Sequence, residues 1–282
     1  MASQPHSSIP PESFSIISTL RYDPQIPAVA SKSHADIYPY PKDSPYYLLP
    51  FHRDRLLNAA THFNWAKAIE FLQLDTTQFS QLLDKLISDQ SKPWRLRIAV
   101  DSLGNCTVDV NPTAPCSPRS LFIPSADIET EAATQLSPWK LYLDTQPIQP
   151  SAFTTHKTTV RDEYTSARER VGITSLLDPV EVLVFNPEGE VMEGSITTPY
   201  FRRRADIIDT AGSGSGSGED GFIWVTPPLS SGGNAGTTRR YALEKGFCVE
   251  RVVKVDELVD GEECWLSNGV RGFIRAVVVL KR

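Results

Sequence analysis

A strand–turn–strand pattern at residues 180–195 constrains this chain more than any other part of its sequence. The run VEVLVF at 180–185 is rich in β-branched and apolar residues, which is typical of a buried strand. The turn NPEG follows at 186–189, where Gly189 is free to adopt a positive φ. The return strand carries Glu193 among residues that belong in an interior, and a buried carboxylate is costly unless a cation pairs with it. The pattern predicts a buried hairpin with a cationic group beside Glu193.

Upstream of this hairpin, Lys157 lies among small hydroxylated residues, directly before a helix-like segment, EYTSARERV, at 163–171. A lysine and a carboxylate in such positions indicate a pyridoxal phosphate site. That cofactor forms a Schiff base with a lysine and needs a carboxylate to keep its pyridine nitrogen protonated. Most lysines are solvated, however, and a glutamate after a turn is usually an exposed strand end. The pair alone therefore leaves both interpretations open.

Three further segments extend the pattern. Residues 48–63 place His52 and Arg55 at the start of an amphipathic helix. Residues 224–243 combine a strand, a Pro/Gly-rich loop and a helix that begins near Gly236, and residues 255–270 end in a strand followed by SNG. With the lysine and the hairpin, these segments resemble the class IV aminotransferase family, the fold-type IV pyridoxal phosphate enzymes. The resemblance covers most of the chain from about residue 48, in the family's order.

The resemblance implies a role for each motif residue. Lys157 would form the Schiff base, Glu193 would pair with the pyridine nitrogen, and Arg55 would bind the phosphate through its guanidinium fork. A helix N-terminus is a natural anion site, so backbone N–H groups there would complete the phosphate contacts. His52 is better explained as a hydrogen-bonded histidine at a helix start than as a catalytic group. The other implied cofactor contacts are Gly236, Thr237, Thr238, Ser267 and Asn268.

Within the family, the spacing of Arg161 four residues after Lys157 resembles aminodeoxychorismate lyase, as does Thr19-Leu20-Arg21 ahead of the arginine motif. The resemblance then implies a lyase that releases pyruvate and p-aminobenzoate, with Thr19, Arg21 and Arg161 binding the substrate. A branched-chain or D-amino acid aminotransferase with the same site is the alternative. A catalytically inactive relative that serves as a binding protein is a third reading. The family also implies a homodimer, in which the segment at 24–45 would complete the partner's site.

The composition agrees with such an enzyme. The chain has 282 residues, a formal net charge of −6 and 40% hydrophobic residues. The acidic balance argues against a nucleic-acid or anionic-membrane partner, and no stretch approaches the roughly 20 apolar residues of a membrane span. The N-terminus lacks the apolar core of a signal peptide, and the four cysteines have no metal-ligand spacing. We therefore expect a cytoplasmic protein with reduced thiols, no metal and a small-molecule substrate.

The remaining patterns predict an α/β fold with a small N-terminal α/β domain at 12–146 and a larger, mixed β domain with helices at 150–282. The segment at 24–45 has no periodicity and is predicted to be a loop. The glycine-serine run at 211–221 is predicted to be a flexible loop between two strands. The other elements predicted for the first domain are a strand at 13–23, helices at 48–66 and 77–88, a hairpin at 93–110, and strands at 121–124 and 138–143.

Overall fold

The computed structural model describes residues 10, 13–32, 38–39, 41–124, 137–205 and 221–280. Of the predicted glycine-serine loop, all but Gly221 lies outside the described residues. The strands are β1 (Ile16–Tyr22), β2 (Trp94–Val100), β3 (Cys106–Pro112), β4 (Trp139–Leu143), β5 (Val180–Phe185), β6 (Val191–Gly194), β7 (Thr198–Arg204), β8 (Phe222–Thr226), β9 (Cys248–Glu250), β10 (Glu263–Asn268) and β11 (Gly272–Val279). The α-helices are α1 (Ile26–Lys32), α2 (Leu49–His62), α3 (Ala66–Leu72), α4 (Thr76–Asp84), α5 (Ala152–Thr155), α6 (Asp162–Arg170) and α7 (Thr237–Glu244).

The smaller sheet has the order β1-β2-β3, with both pairs antiparallel. Because strand side chains alternate between faces, one face of β1 and β2 presents apolar residues to α2, α3 and α4. That face and the helices form one core, whose fully buried members include Ile16, Leu20, Leu96, Ile98, Ala60 and Phe79. This sheet and its helices lie within the range predicted for the small α/β domain.

The larger sheet has eight strands in the order β6-β5-β4-β11-β10-β7-β8-β9. Strand β4 pairs in parallel with both β11 and β5. It therefore belongs to the larger sheet, although its residues fall in the range predicted for the first domain. Local periodicity identifies β4 as a strand, but its partners lie far along the chain and decide its sheet.

The free edge of β1 joins the two sheets. Ile17 N donates to Lys157 O at 2.8 Å, and Thr159 N donates to Ser15 O at 2.9 Å. Further along the same edge, Arg21 N donates to Gly269 O at 3.0 Å. The lysine segment and the β10–β11 turn are thus both held against one strand, so the cleft between the sheets has a fixed geometry.

The two predicted hairpins are confirmed, since β2 pairs with β3 and β5 pairs with β6. Gly189 has φ 73°, the left-handed conformation expected for the β5–β6 turn. Helix α7 begins directly after Gly236, as predicted. The described ranges hold no helix with the length and apolar character that crossing a membrane requires.

Three predictions for the first domain were wrong. The supposed loop at 24–45 contains α1, in which Ile26 and Ala30, one helical turn apart, are buried in a second apolar cluster. Residues 121–124 are not a strand: a 3₁₀ helix covers Pro118–Leu121, and the apolar character of Leu121 and its neighbour reflects burial in that same cluster. The helix predicted at 48–66 ends at residue 62, because the chain turns at Asn64, with φ 57°, before α3 begins.

Candidate active site

Lys157 lies in the cleft between the two sheets. It follows the one-turn helix α5, which Ser151 opens with a capping box, and the chain leaves that helix in an extended conformation at His156. The pairing with β1 then holds the lysine in place. Burial, followed by the positive charges of Arg161 and Arg55, keeps the pKa of the Lys157 ammonium well below its usual value. Lys157 can therefore present an unprotonated amine, the nucleophilic form.

Glu193 comes from the neighbouring hairpin. The turn at Gly189 reverses the chain, and β6 carries the carboxylate into the interior, where Glu193 is only 8% exposed. Tyr164, on α6, donates a hydrogen bond of 2.5 Å to Glu193 Oε1. Burial raises the pKa of the Glu193 carboxyl, and the Tyr164 hydrogen bond and the charges of Arg161 and Lys157 oppose that shift. Glu193 is thus a buried carboxylate with the cationic side chains of Arg161 and Lys157 nearby, which is the kind of environment that the sequence predicts.

A candidate anion site lies at the start of α7. Gly236 is its N-cap, and Thr237 and Thr238 occupy the first helical turn with buried side chains. Arg55, on α2, makes no ion pair with a described residue, and its buried Nε makes no hydrogen bond to one. Burial lowers the pKa of Arg55 to about 10. Arg55, Gly236 and Thr237 line a cavity of about 280 Å³, together with Phe51, His156 and Gly233.

His52 connects the two sides of this anion site. Arg55 Nη2 donates to Ser18 Oγ at 2.5 Å, and Ser18 Oγ lies 2.7 Å from His52 Nδ1. The other ring nitrogen, His52 Nε2, lies 3.3 Å from Thr237 Oγ1. Burial, together with the charges of Arg55 and Lys157, keeps the pKa of His52 well below its usual value. A neutral ring donates from one nitrogen and accepts at the other, so His52 links the arginine and the helix start as the prediction of a hydrogen-bonded histidine expects.

Arg161 follows Lys157 by four residues, and its positive charge contributes to the lowered pKa of the lysine. Its Nη2 donates to Ser195 O at 2.6 Å, and its guanidinium lies over the Tyr164 ring, 3.9 Å from the centroid. It makes no ion pair with a described residue. Most of its donors are therefore available to an anionic group in the cleft.

The structure uses Arg21 differently from the sequence prediction. Its side chain is buried, forms an ion pair with Asp23 at 2.8 Å and donates to Ala114 O at 3.1 Å. A role in binding the substrate would require the guanidinium to exchange these partners. Thr19, on the same face of β1, keeps a partly exposed side chain without a hydrogen bond to a described residue.

Ser267 and Asn268 also have side chains engaged within the protein. The Ser267 hydroxyl lies 2.8 Å from Tyr200 Oη, in an aromatic cluster. Asn268 Oδ1 accepts from the backbone N–H groups of Val270 and Arg271, which closes the β10–β11 turn. Their predicted contact with the cofactor therefore stays a prediction.

Sequence reasoning missed three functional side chains: Ser18, Tyr164 and Glu181. Ser18 bridges His52 and Arg55, but nothing local distinguishes it from other strand serines. Tyr164 lies seven residues after Lys157, in the first turn of α6, and only the packing of α6 on β5 brings it to Glu193. Glu181 carried a signal that could have been used, because it is the one charged residue inside the predicted buried strand.

These residues fit pyridoxal phosphate. The unpaired, buried donor of Arg55 and the helix start at Gly236 suit its phosphate, and Lys157 and Glu193 suit its aldehyde and ring nitrogen. The two sheets form the fold of the fold-type IV pyridoxal phosphate enzymes. The chain belongs to the class IV amino-transferase family, whose model matches residues 41–279.

Two curated fungal proteins are similar in sequence. An aminodeoxychorismate lyase of Saccharomyces cerevisiae is 27% identical over an alignment of 224 residues that covers 73% of this chain and 56% of that protein. This chain therefore spans little more than half the length of that relative. A Schizosaccharomyces pombe protein, provisionally named an aminodeoxychorismate lyase, is 25% identical over 246 residues, covering 85% of this chain and 87% of its own length.

A solved structure from Mesorhizobium loti, provisionally named an amino-acid aminotransferase, has the same fold. It superposes with a TM-score of 0.64 at 23% identity, over 94% of this chain and all of that one (100%). At this level of identity the likeness concerns the fold.

Proposed function

We propose that this protein is a pyridoxal phosphate-dependent lyase that cleaves 4-amino-4-deoxychorismate into pyruvate and p-aminobenzoate, for folate synthesis. The observation that carries the proposal is the position of Lys157. Its ammonium pKa is lowered, and its charge interacts with those of Glu193 and of Arg55, which lines the anion cup at Gly236.

Each residue has a distinct task in this proposal. Pyridoxal phosphate, when bound, supplies an aldehyde for covalent attachment and an electron-accepting ring. Arg55 and the first turn of α7 would hold its phosphate, and Glu193 would keep its ring nitrogen protonated. The Lys157 amine would first hold the aldehyde and, once displaced by the substrate amine, act as the base.

The chemistry asked of Lys157 is proton transfer. It would take the proton from the substrate carbon that carries the nitrogen and return it to the methylene carbon of the departing enolpyruvate. The bond that breaks joins the ring carbon to the enol ether oxygen, and the ring becomes aromatic. All atoms of the substrate appear in the two products, so no water or co-substrate is needed.

The choice of lyase rests on Arg161 and on the relatives. Arg161 follows Lys157 by four residues, and its guanidinium has donors free for a substrate carboxylate. Both fungal relatives carry the lyase name. Thr19 and Arg21 stay in the proposal as residues of the substrate side, with the exchange of partners that Arg21 requires. By the same family argument we propose a cytoplasmic homodimer.

The deciding experiment omits any oxo acid. Purified protein loaded with the cofactor is given 4-amino-4-deoxychorismate alone, and pyruvate and p-aminobenzoate are measured. We expect both products in equal amounts. An absence of products without 2-oxoglutarate, followed by amino transfer when it is added, would show an aminotransferase. Protein that takes up no cofactor would be an inactive relative, and the proposal would fail.

A further inference from the structure

Glu181 is a buried carboxylate with an unusually complete set of hydrogen bonds. It lies on β5 and is 1% exposed. Its Oε1 accepts from Val182 N at 2.8 Å, Ser195 N at 3.1 Å and Ser195 Oγ at 2.7 Å. Its Oε2 accepts from Ile196 N at 3.1 Å and Thr197 Oγ1 at 2.8 Å. Four of these five donors belong to the three residues that follow β6.

The chain around Glu181 is shaped for this contact. A Cβ added to Gly194 would lie 2.3 Å from Thr197 Oγ1 and 3.1 Å from Glu181 Cδ, so a larger residue there would push the carboxylate away. A carboxylate accepts hydrogen bonds without needing to donate one. It can therefore satisfy backbone N–H groups on both of its oxygens, which a neutral side chain of this size cannot.

The segment that Glu181 holds supplies the protein acceptor of Arg161. Ser195 contributes two donors to Glu181 and, through its carbonyl, accepts the 2.6 Å hydrogen bond of Arg161 Nη2. The other side of the guanidinium lies against Tyr164, whose hydroxyl is bonded to Glu193. Arg161 is thus connected to Glu181 through Ser195 and to Glu193 through Tyr164, but it forms an ion pair with neither carboxylate. Its positive charge is therefore available to a ligand.

We propose that Glu181 is a positioning residue for substrate binding, which aims the Ser195 carbonyl and thereby fixes the Arg161 guanidinium toward a carboxylate of the substrate. The inference deepens the proposed function and rests on it for the identity of the substrate. Glu181 acts through Arg161 and has no contact with the phosphate cup around Gly236. Its loss should therefore weaken substrate binding and spare cofactor binding.

The test is Glu181→Gln in the cofactor-loaded protein. The amide NH₂ would face a backbone N–H in either orientation, Ser195 on one side or Ile196 on the other, so the segment must shift. We expect KM for 4-amino-4-deoxychorismate to rise about tenfold, kcat to change less than about threefold, and the cofactor dissociation constant to stay within about twofold. If Glu181→Gln does not fold, the milder variant Thr197→Val takes its place, because it removes only one of the donors to Glu181. Thr197→Ser keeps that hydroxyl and should have the wild-type KM.

A double-mutant cycle with Arg161→Ala separates positioning from general support of the fold. If Glu181 acts through Arg161, then Glu181→Gln adds little to the KM of Arg161→Ala. Additive losses, or a kcat and cofactor affinity that fall together with KM, would overturn the proposal. Glu190→Gln is the matched control, because Glu190 is also a hydrogen-bonded carboxylate of this hairpin but bonds Ser231 and Lys254 instead.

Failure of the proposed function gives a different result. If the wild-type protein releases no pyruvate, the same cycle is measured with p-aminobenzoate as a carboxylate probe, titrated into the cofactor-loaded protein and followed by absorbance. Weaker probe binding in Glu181→Gln that disappears in the Arg161→Ala background supports the positioning role without the lyase reaction. Equal probe affinity in the wild type and Glu181→Gln refutes it.

Discussion

The Tyr164 hydroxyl lies 2.5 Å from Oε1 of Glu193, and this contact joins α6, directly after the lysine segment, to the β6 strand. It gives Glu193 a donor that stabilises the charged carboxylate. The aromatic ring beneath Arg161 belongs to the same tyrosine. One side chain therefore supports both Glu193, which we propose binds the cofactor, and Arg161, which we propose binds the substrate.

We predict that Tyr164→Phe lowers turnover about tenfold, or about 1.4 kcal/mol of transition-state stabilisation. The ring that supports Arg161 is retained, while Glu193 loses the hydrogen bond that favours its charged form. The measurement is kcat with saturating cofactor, beside the affinity for cofactor, which should change little. Tyr22→Phe is the control, since Tyr22 Oη donates to Gln90 O and, among the described residues, to no residue of the candidate site. Normal kcat in Tyr164→Phe would show that the hydrogen bond has no part in catalysis.

Glu193→Gln should impair chemistry far more than cofactor binding. A neutral amide cannot stabilise the protonated ring nitrogen. The phosphate contacts proposed for Arg55 and the helix start at Gly236 do not depend on Glu193. Turnover should fall at least 10²-fold, which corresponds to roughly 2.7 kcal/mol. Single-turnover rates and cofactor titration measure the two effects separately. If turnover stays near normal at saturating cofactor, Glu193 is not the partner of the ring nitrogen, and Glu190 and Glu188 become the candidates.

Arg55→Ala should show the opposite balance. It removes a buried cation whose Nε has no partner among the described residues, so retention of the cofactor through gel filtration should fall. Excess cofactor should partly restore turnover, because the lysine and Glu193 are intact. Turnover that does not respond to added cofactor would assign Arg55 to another task.

Lys157→Ala should lower turnover by several orders of magnitude and leave the fold intact. The lysine side chain makes no ion pair or hydrogen bond with a described residue, so its removal costs little stability. Borohydride reduction of the loaded wild-type protein, followed by peptide mapping, should place the cofactor on Lys157. Lys140→Ala, in an exposed position on β4, is the control and should keep full activity. A label on another lysine would overturn the assignment.

Acid should destabilise the cofactor-free protein partly through His156. Burial, and then the nearby His62, lower the pKa of His156 from 6.5 to about 4. Between these two values the unfolded chain binds a proton that the folded protein does not, so stability falls as pH drops through this range. His156→Gln should therefore lose less melting temperature between pH 7.5 and pH 5 than the wild type does. If the wild type and His156→Gln lose the same amount of melting temperature between these pH values, His156 has the same pKa in the folded and unfolded states.

The sequence by itself determined the local elements and the order of the motifs. Lys157, Glu193 and Arg55 could be found because each belongs to a motif whose residues lie within a few positions of one another. The β5–β6 hairpin could be predicted because strand propensity and turn chemistry are local properties. The same local information identified β4 as a strand.

Only the tertiary structure decided which partners these elements have. Parallel pairing took β4 into the larger sheet, and the free edge of β1 brought Lys157 and Gly269 to one cleft. Periodicity shows that Arg21 and Glu181 lie on strands, but it does not show that one meets Asp23 and the other the segment after Gly194. A side chain's role depends on what fills the space around it, and that space is made by segments distant in sequence. For this reason Glu181, Tyr164 and Ser18 emerged only from the folded chain.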